Sequence, residues 1–348
     1  MSKKIEFSNT LIVGGNGFVG RNLTQHLLNR QESNEKIYVI DNLLSSDFDQ
    51  VIQDKRVKFI ELDAGLPISF DQVPTEIDRV FVLNCLHGNQ SSLYSPLLDL
   101  DNSLRPVITT LEWVRRQNPK AIVAYAGAGC AVAEKTWSSP DPVEESDVIS
   151  LDHDSPYSIS KLAGEMHCKM YAKQFNLDVR RARFQNVYGP GERLGAGVWR
   201  GTNATVWRNV VPSFIWKALN NEELIVTGSD ASRDFIFVDD LVAGLEAISQ
   251  KGIAGEAYNL ATGVETRIVD LAKEIIKITN SSSKLTVSEP RSWDNSGRRV
   301  ADIRKSLNEI DFLATVAIEE GLRKTIDWSI RNLSDIKKSV SKFSNHLT

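Results

Sequence analysis

Thr10-Leu11-Ile12-Val13-Gly14-Gly15-Asn16-Gly17-Phe18-Val19-Gly20-Arg21-Asn22-Leu23-Thr24-Gln25-His26-Leu27-Leu28 decides the fold. The first four residues are short, apolar and mostly β-branched, the composition of a buried parallel strand. From Phe18 onward the apolar residues recur at helical spacing. Glycines fall between the two elements, where a tight turn must let the backbone approach a pyrophosphate and the helix pack close to the strand. The N-terminus of that helix offers free N–H groups and a positive dipole end to phosphates.

A second signal follows at the expected distance. Ile37-Tyr38-Val39-Ile40 reads as the next strand, with Asp41 directly after it. Asp41 lies 21 residues beyond Gly20, against the roughly 20 expected of the carboxylate that binds the ribose hydroxyls of a dinucleotide. Its charge repels a 2′-phosphate, and no Arg or Lys follows until Lys55. The pattern therefore favours NAD over NADP. Taken alone, Asp41 also fits a strand-terminal turn residue. The cofactor-binding residues expected from this stretch are Gly14, Gly17, Phe18, Val19, Gly20, Asp41 and Asn42.

Strand and helix signals alternate through the first half of the chain. Val57–Glu61, Arg79–Leu83, Ala121–Tyr125 and Val179–Phe184 read as strands, and 91–117 and 157–175 as long helices. This rhythm implies an α/β fold with a doubly wound parallel Rossmann-type sheet. Ligands of such sheets bind beyond the carboxyl ends of the strands, so the residues after Leu83, Tyr125 and Phe184 should face cofactor and substrate. From about Val187 the rhythm changes. Residues 189–205 are glycine-rich and read as a long loop, helices are expected near 210–220, 239–250, 267–279 and 318–330, and 281–293 reads as loop. We expect a dinucleotide-binding domain over 1–186 with returning segments near 233–262. A smaller α/β substrate lobe over 187–332 follows, and then a Ser- and Lys-rich tail over 333–348 that frays.

The 348 residues suffice for one large domain or two joined ones. A net charge of −4 gives no electrostatic reason for a nucleic-acid or anionic-membrane partner. Cys85, Cys130 and Cys168 show no metal-ligand spacing, so no metal is expected, and their odd number suits a reducing compartment. No apolar run approaches the length of a membrane span and the N-terminus lacks a signal-peptide core. The expected location is the cytoplasm.

Tyr157-Ser158-Ile159-Ser160-Lys161 places a phenol and an ammonium at i and i+4, on one helix face. A neighbouring cation favours phenolate over phenol. Such a tyrosine can take the proton of a sugar hydroxyl while hydride leaves the same carbon. Together with residues 14–20, Asp41, the run Arg183-Phe184-Gln185-Asn186-Val187-Tyr188-Gly189-Pro190-Gly191 and the run Arg233-Asp234-Phe235-Ile236-Phe237-Val238-Asp239-Asp240, this pair resembles the extended short-chain dehydrogenase/reductases. More narrowly, the chain resembles nucleotide-sugar epimerases and dehydratases from about Thr10 to Trp328.

The resemblance implies that Tyr157 is the acid/base and that Lys161 holds the nicotinamide ribose and tunes Tyr157. It implies that Asp63 contacts adenine and Asn186 the sugar or its phosphate. Arg233 and an arginine at Arg298 or Arg299 would meet the diphosphate, whose oxygens suit the guanidinium fork. Most members carry a Ser or Thr that relays the proton to the tyrosine, and Ala128 falls at that position here. Cys130, two residues on, matches an acid/base cysteine of GDP-mannose 3,5-epimerases. A thiolate there would take a proton made acidic by oxidation of the sugar. Those enzymes add a lysine where this chain has apolar Val210, with Arg208 and Asn209 beside it. Buried cysteine is also a common small hydrophobe. The Asp-Glu pair of the dehydratases is replaced by Gly129-Cys130, which disfavours a 4,6-dehydratase. In the loop 195–208, Trp199 and Trp207 can stack on a base or sugar, and Arg200 and Arg208 can reach phosphates.

The leading expectation is an NAD-dependent nucleotide-sugar epimerase that oxidises the sugar transiently, with a nucleotide-diphosphate sugar as its partner. The alternatives are an NAD-dependent reductase or dehydratase of the same substrates, or a catalytically silent nucleotide-binding homologue. The resemblance also implies a homodimer, paired through helices near 91–117 and 157–175. Leu97, Leu100, Leu104, Val107, Ile108 and Leu111 recur there at helical spacing, a stripe that equally suits the core of one subunit.

Overall fold

The structure is a computed structural model and describes residues 5–30, 34–44, 46, 48–86, 88–129, 136–147, 151–193, 209–290 and 297–344. Seven parallel strands form the main sheet: β1 (Asn9–Val13), β2 (Lys36–Asp41), β3 (Val57–Glu61), β4 (Arg79–Val82), β5 (Ile122–Ala128), β6 (Val179–Phe184) and the later β10 (Ala257–Leu260). Their order is β10-β6-β5-β4-β1-β2-β3. The chain runs outward from β1 to β3, then returns to β4 on the other side of β1 and runs outward again. The crevice between β1 and β4 is the switch point where doubly wound sheets bind ligands.

The two faces of the sheet follow from side-chain alternation along each strand. Ile12 on β1 packs with Leu23 and Leu27 of helix α1 (Phe18–Leu28). Leu11 and Val13 point the other way, into a core with Val107, Leu111 and Val114. These three belong to α4 (Arg105–Gln117).

The segment expected as one helix over 91–117 is divided. It forms α2 (Asn89–Tyr94), α3 (Pro96–Asp99), a π-helical turn over Leu100–Leu104, and then α4. Pro96 stands at the first turn of α3 and lacks the N–H that continuing α2 would need. The apolar stripe divides with it. Val107 and Leu111 are core residues, while Leu97 is 75% and Leu100 40% exposed.

Helix α5 (Pro156–Phe175) starts at Ser155, whose hydroxyl accepts from Ser158 N–H at 3.3 Å. A buried ion cluster fixes it on the sheet. Glu165 of α5 accepts from Arg183 Nε at 3.1 Å and Nη2 at 3.0 Å, and from Arg181 Nη1 at 3.3 Å, both arginines lying on β6. Gly127 on β5 makes room for this carboxylate: a Cβ there would stand 2.6 Å from Glu165 Oε1.

Beyond β7 (Asn186–Tyr188) the chain builds a second core. Helix α6 (Val210–Leu219) is followed by β8 (Leu224–Thr227), β9 (Ser232–Phe237), α7 (Val238–Lys251) and then β10. After these come β11 (Glu265–Arg267), α8 (Ile268–Thr279), β12 (Leu285–Ser288), α9 (Arg304–Ile310) and α10 (Ile318–Arg331). Phe214, Ile215, Val226, Phe235, Leu271 and Ile326 meet in that core. Strand β9 lies between β7 and β11, and β8 pairs with β12. Two expectations are corrected here. Part of the 281–293 stretch is strand β12, parallel to β8 and largely exposed. Residues 333–344 form helix α11 (Leu333–Ser344) where a fraying tail was expected. Ile336 is buried there and Asp335 pairs with Arg193 at 3.3 Å.

Removing the carboxylate that two buried arginines share leaves uncompensated charge. Glu165→Ala should lower the unfolding free energy by about 3–5 kcal/mol in urea titration. Glu319→Ala, which removes the exposed partner of Arg323, should leave the midpoint unchanged. Equal midpoints for the two variants would show that the buried cluster does not hold α5.

Candidate active site

A cavity of about 720 Å³ opens along the carboxyl ends of the strands. Its wall contains the turn residues Gly14, Gly17, Phe18, Val19 and Gly20, and Asp41, Asn42 and Asp63 from the ends of β2 and β3. The residues after the other strands reach it as the strand-end rule requires: Asn84 and Cys85 after β4, Ala126, Gly127 and Ala128 of β5, and Gln185 and Asn186 after β6.

The glycines of the turn answer to two different constraints. Gly14 has φ +72°, and a Cβ on it would lie 2.6 Å from Asn84 Cα. A Cβ on Gly20 would lie 2.5 Å from Gly15 Cα, so the helix could not close on the strand. Gly17 differs, because a Cβ there meets only Gly14 O, at 3.5 Å. The protein itself imposes no glycine at that position, which lines the cavity and caps α1 without a side-chain hydrogen bond. The first-turn N–H groups of α1 are left for a ligand. These features fit the pyrophosphate of a dinucleotide.

Asp41 accepts from Asn16 N–H at 2.9 Å and Leu43 N–H at 2.8 Å. Burial pushes its pKa up, against the lowering effect of those donors. Asn42 donates to Asn102 Oδ1 at 2.9 Å, which ties the β2 end to the π-helical turn. Asp63 accepts from Gly65 N–H at 2.7 Å.

Tyr157 and Lys161 both line the cavity from the start of α5. Lys161 Nζ donates to Ala126 O at 2.8 Å and reaches Asn84 O at 3.5 Å, so the ammonium is held at the ends of β5 and β4. Ala128, the last residue of β5, forms a buried apolar cluster with Tyr157 and Leu162. The Cys85 side chain packs against that cluster and also lines the cavity. Among the described residues the thiol packed beside Tyr157 is Cys85, which lies just past β4 and was not among the expected site residues. Cys168 is buried away from the cavity wall, and burial pushes its thiol far up.

The far end of the cavity belongs to the second core. Val210, Ser213, Phe214 and Lys217 of α6, Ile225 to Thr227 of β8, and Arg233 and Arg299 line it. Arg233 donates to Gly297 O at 2.7 Å. Its neighbour Asp234 turns the other way and accepts from Thr262 N–H and Gly263 N–H, each at 2.9 Å. Of the two arginines proposed for a diphosphate, Arg298 is directed elsewhere. It pairs with Glu265 at 2.7 Å and is absent from the lining, whereas Arg299 is part of it. Cys130, Trp199, Arg200, Trp207 and Arg208 lie outside the described residues. Among the described residues no cluster of three or more His, Cys, Asp or Glu side chains could hold a metal ion, and no helix is long and apolar enough to cross a membrane.

Residues 10–261 match the model of the NAD dependent epimerase/dehydratase family. The chain is 42% identical to the enzyme WbmF of Bordetella bronchiseptica, crystallised with NAD+ and UDP. That match covers 98% of this chain and 97% of WbmF, with a TM-score of 0.85. It is 31% identical to the epimerase Mth375 of Methanothermobacter thermautotrophicus, over 96% of this chain and 95% of that one, with a TM-score of 0.86. It is also 27% identical over 333 residues to UDP-glucuronic acid decarboxylase 1 of Xenopus tropicalis, covering 93% of this chain and 72% of that protein.

A methyl group at Gly17 separates fold from ligand. Gly17→Ala should melt like the parent without ligand, yet bind NAD more weakly by about 1–3 kcal/mol, the usual size of an overpacked contact, or roughly 5- to 150-fold. Asp41→Ala should weaken NAD by a similar 1–3 kcal/mol. Calorimetric titration showing unchanged NAD affinity in both would remove the dinucleotide from this end of the cavity.

Proposed function

This chain belongs to the NAD-dependent epimerase/dehydratase family, and we propose that it is a nucleotide-sugar epimerase that oxidises its sugar transiently and then returns the hydride. The observation that carries this reading is the meeting of Tyr157 and Lys161 with the glycine turn and Asp41 in one cavity. NAD, when bound, supplies the two-electron acceptor and donor. The turn residues Gly14, Gly17, Phe18, Val19 and Gly20 would hold its pyrophosphate, Asp41 and Asn42 the adenosine ribose, and Asp63 the adenine.

Tyr157 takes the proton of the reacting sugar hydroxyl as hydride leaves the same carbon, and gives the proton back when hydride returns. Lys161, fixed by Ala126 O, orients the nicotinamide ribose and places positive charge beside the tyrosine. Ala128 neither donates nor accepts, so Tyr157 works on the hydroxyl directly or through one water. Asn186, Arg233 and Arg299 hold the sugar and diphosphate, joined by Trp199, Arg200 and Arg208 from the 195–208 loop. In a C3 or C5 version of the epimerisation Cys130 is the second acid/base. Ala128 favours one other reading, a nucleotide-binding homologue without turnover. The retained Tyr157 and Lys161 oppose it, since binding alone needs no such pair.

The same reading includes a homodimer. Leu97 and Leu100 are joined on the surface by Ile159, Met166 and Met170 of α5, each more than a third exposed. A second copy laid on this face would cover them.

Incubation with UDP-, GDP-, CDP- and dTDP-sugars in deuterated water, followed by NMR, tests the reaction. Epimerisation at C4 should proceed without deuterium uptake, and at C3 or C5 with it. No net cofactor should be consumed, whereas stoichiometric NADH use would indicate a reductase. Tyr157→Phe should retain NAD binding and lose at least about 10²-fold in turnover. Turnover equal to the parent's would falsify the mechanism, and turnover by neither protein on any sugar would favour the silent homologue. Light scattering at micromolar concentration should give twice the chain mass, and Leu97→Glu should reduce it to one.

A further inference from the structure

Trp137 is a large aromatic side chain left 41% exposed in the cavity wall. Its backbone is held in place. Thr136 bridges to Arg298, whose N–H donates to Thr136 O at 2.7 Å, and Thr136 Oγ1 accepts from Ser138 N–H at 3.0 Å. Arg298 is itself fixed by Glu265. The indole comes to rest at the turn that ends β8. There Gly228 has φ +81°, and a Cβ on it would lie 2.9 Å from Trp137 Cη2 and 3.0 Å from Cζ3. The connection between β5 and α5 thus carries an aromatic ring from the dinucleotide sheet across to the second core. The ring stands at the cavity end lined by Phe214, Ile225, Thr227 and Arg299.

A nucleotide sugar is a linear ligand. With its reacting carbon at Tyr157, the diphosphate comes next and the base lies farthest away. Arg233 and Arg299 suit the diphosphate, and the base then falls at the β8 end. We propose that Trp137 is the stacking platform for the base of the nucleoside diphosphate, seated by the Thr136–Arg298 bridge and the Gly228 turn. The proposal rests on the nucleotide-sugar reading of the cavity and assigns a residue to it. Every base presents a π-face, so the platform supplies affinity rather than choice among bases.

The test is titration of the NAD-loaded protein with UDP and, separately, with pyrophosphate, which has no base. Trp137→Leu should weaken UDP by about tenfold or more, the scale of one base-on-aromatic stack, and leave pyrophosphate unchanged. Trp137→Phe keeps a ring and should bind UDP within about threefold of the parent. The tryptophan emission lost in Trp137→Phe should be the part that UDP quenches in the parent, a readout that holds if Trp137→Leu does not fold. Parent-like UDP affinity in Trp137→Leu, equal weakening of UDP and pyrophosphate, or an unquenched Trp137 signal overturns the platform and leaves the enzyme reading standing. A parent protein that binds NAD but no UDP, GDP, CDP or dTDP overturns the nucleotide-sugar reading, and the platform with it.

Discussion

Backbone contact between α1 and its own turn sets the geometry of the site. Gly20 lies so close to the Gly15 backbone that it tolerates no side chain, and Gly14 is pressed in the same way against Asn84 after β4. Three segments meet there without intervening side chains: the end of β1, the start of α1 and the end of β4. That contact aims the open N-terminus of α1 at the switch point of the sheet. It also leaves Asp41 at the end of the neighbouring strand β2, in the wall of the same cavity. A Cβ at Gly14 or Gly20 would force these segments apart and shift the open N-terminus of α1.

The other half of the site is fixed from underneath. Tyr157 and Lys161 sit in the first turns of α5, and the cluster of Glu165 with Arg181 and Arg183 ties that helix to β6. Lys161 adds bonds to the ends of β5 and β4. Buried ion pairs contribute little net stability because desolvation opposes the attraction. Their effect here is directional, since a carboxylate held between two guanidinium groups has one well-defined place. Gly127 keeps that place open.

The parts legible in the sequence are those whose chemistry is local. The glycine turn, the Asp41 spacing, the alternation of strands and helices and the Tyr157–Lys161 pair each follow from patterns along the chain. Parts set by distant contacts were not legible. Arg298 and Arg299 look alike in sequence, but neighbours on an extended segment point in opposite directions, and only the position of Glu265 tells which one faces the cavity. Strand β12 escaped because four partly exposed residues in a Ser-rich stretch carry no apolar signal, and α11 because Ser and Lys dominate around the buried Ile336. Pro96 was visible, yet the apolar repeat ran through it and suggested one helix. Cys85 and Trp137 gain meaning only when β4 is set beside α5 and the 136–138 segment beside β8.

The apolar surroundings of Tyr157 have a consequence for the whole cavity. In the proposed reaction Ala128, Leu162 and Cys85, the described side chains clustered with Tyr157, would offer the sugar no hydroxyl to orient it. Reaction still demands that the carbon and hydroxyl be held within a few tenths of an ångström. The orienting force must then come from the rest of the ligand, where binding energy from non-reacting parts is converted into position at the reacting centre. The far end of the cavity carries the groups that could bear that load. In the proposed reading Arg233 and Arg299 hold the two phosphates, and Arg233 is braced by Gly297 O. The wall beyond them is formed by β8 and α6. On the proposed reading the nucleotide would place the sugar, and truncated substrates lacking the base should lose turnover as well as affinity.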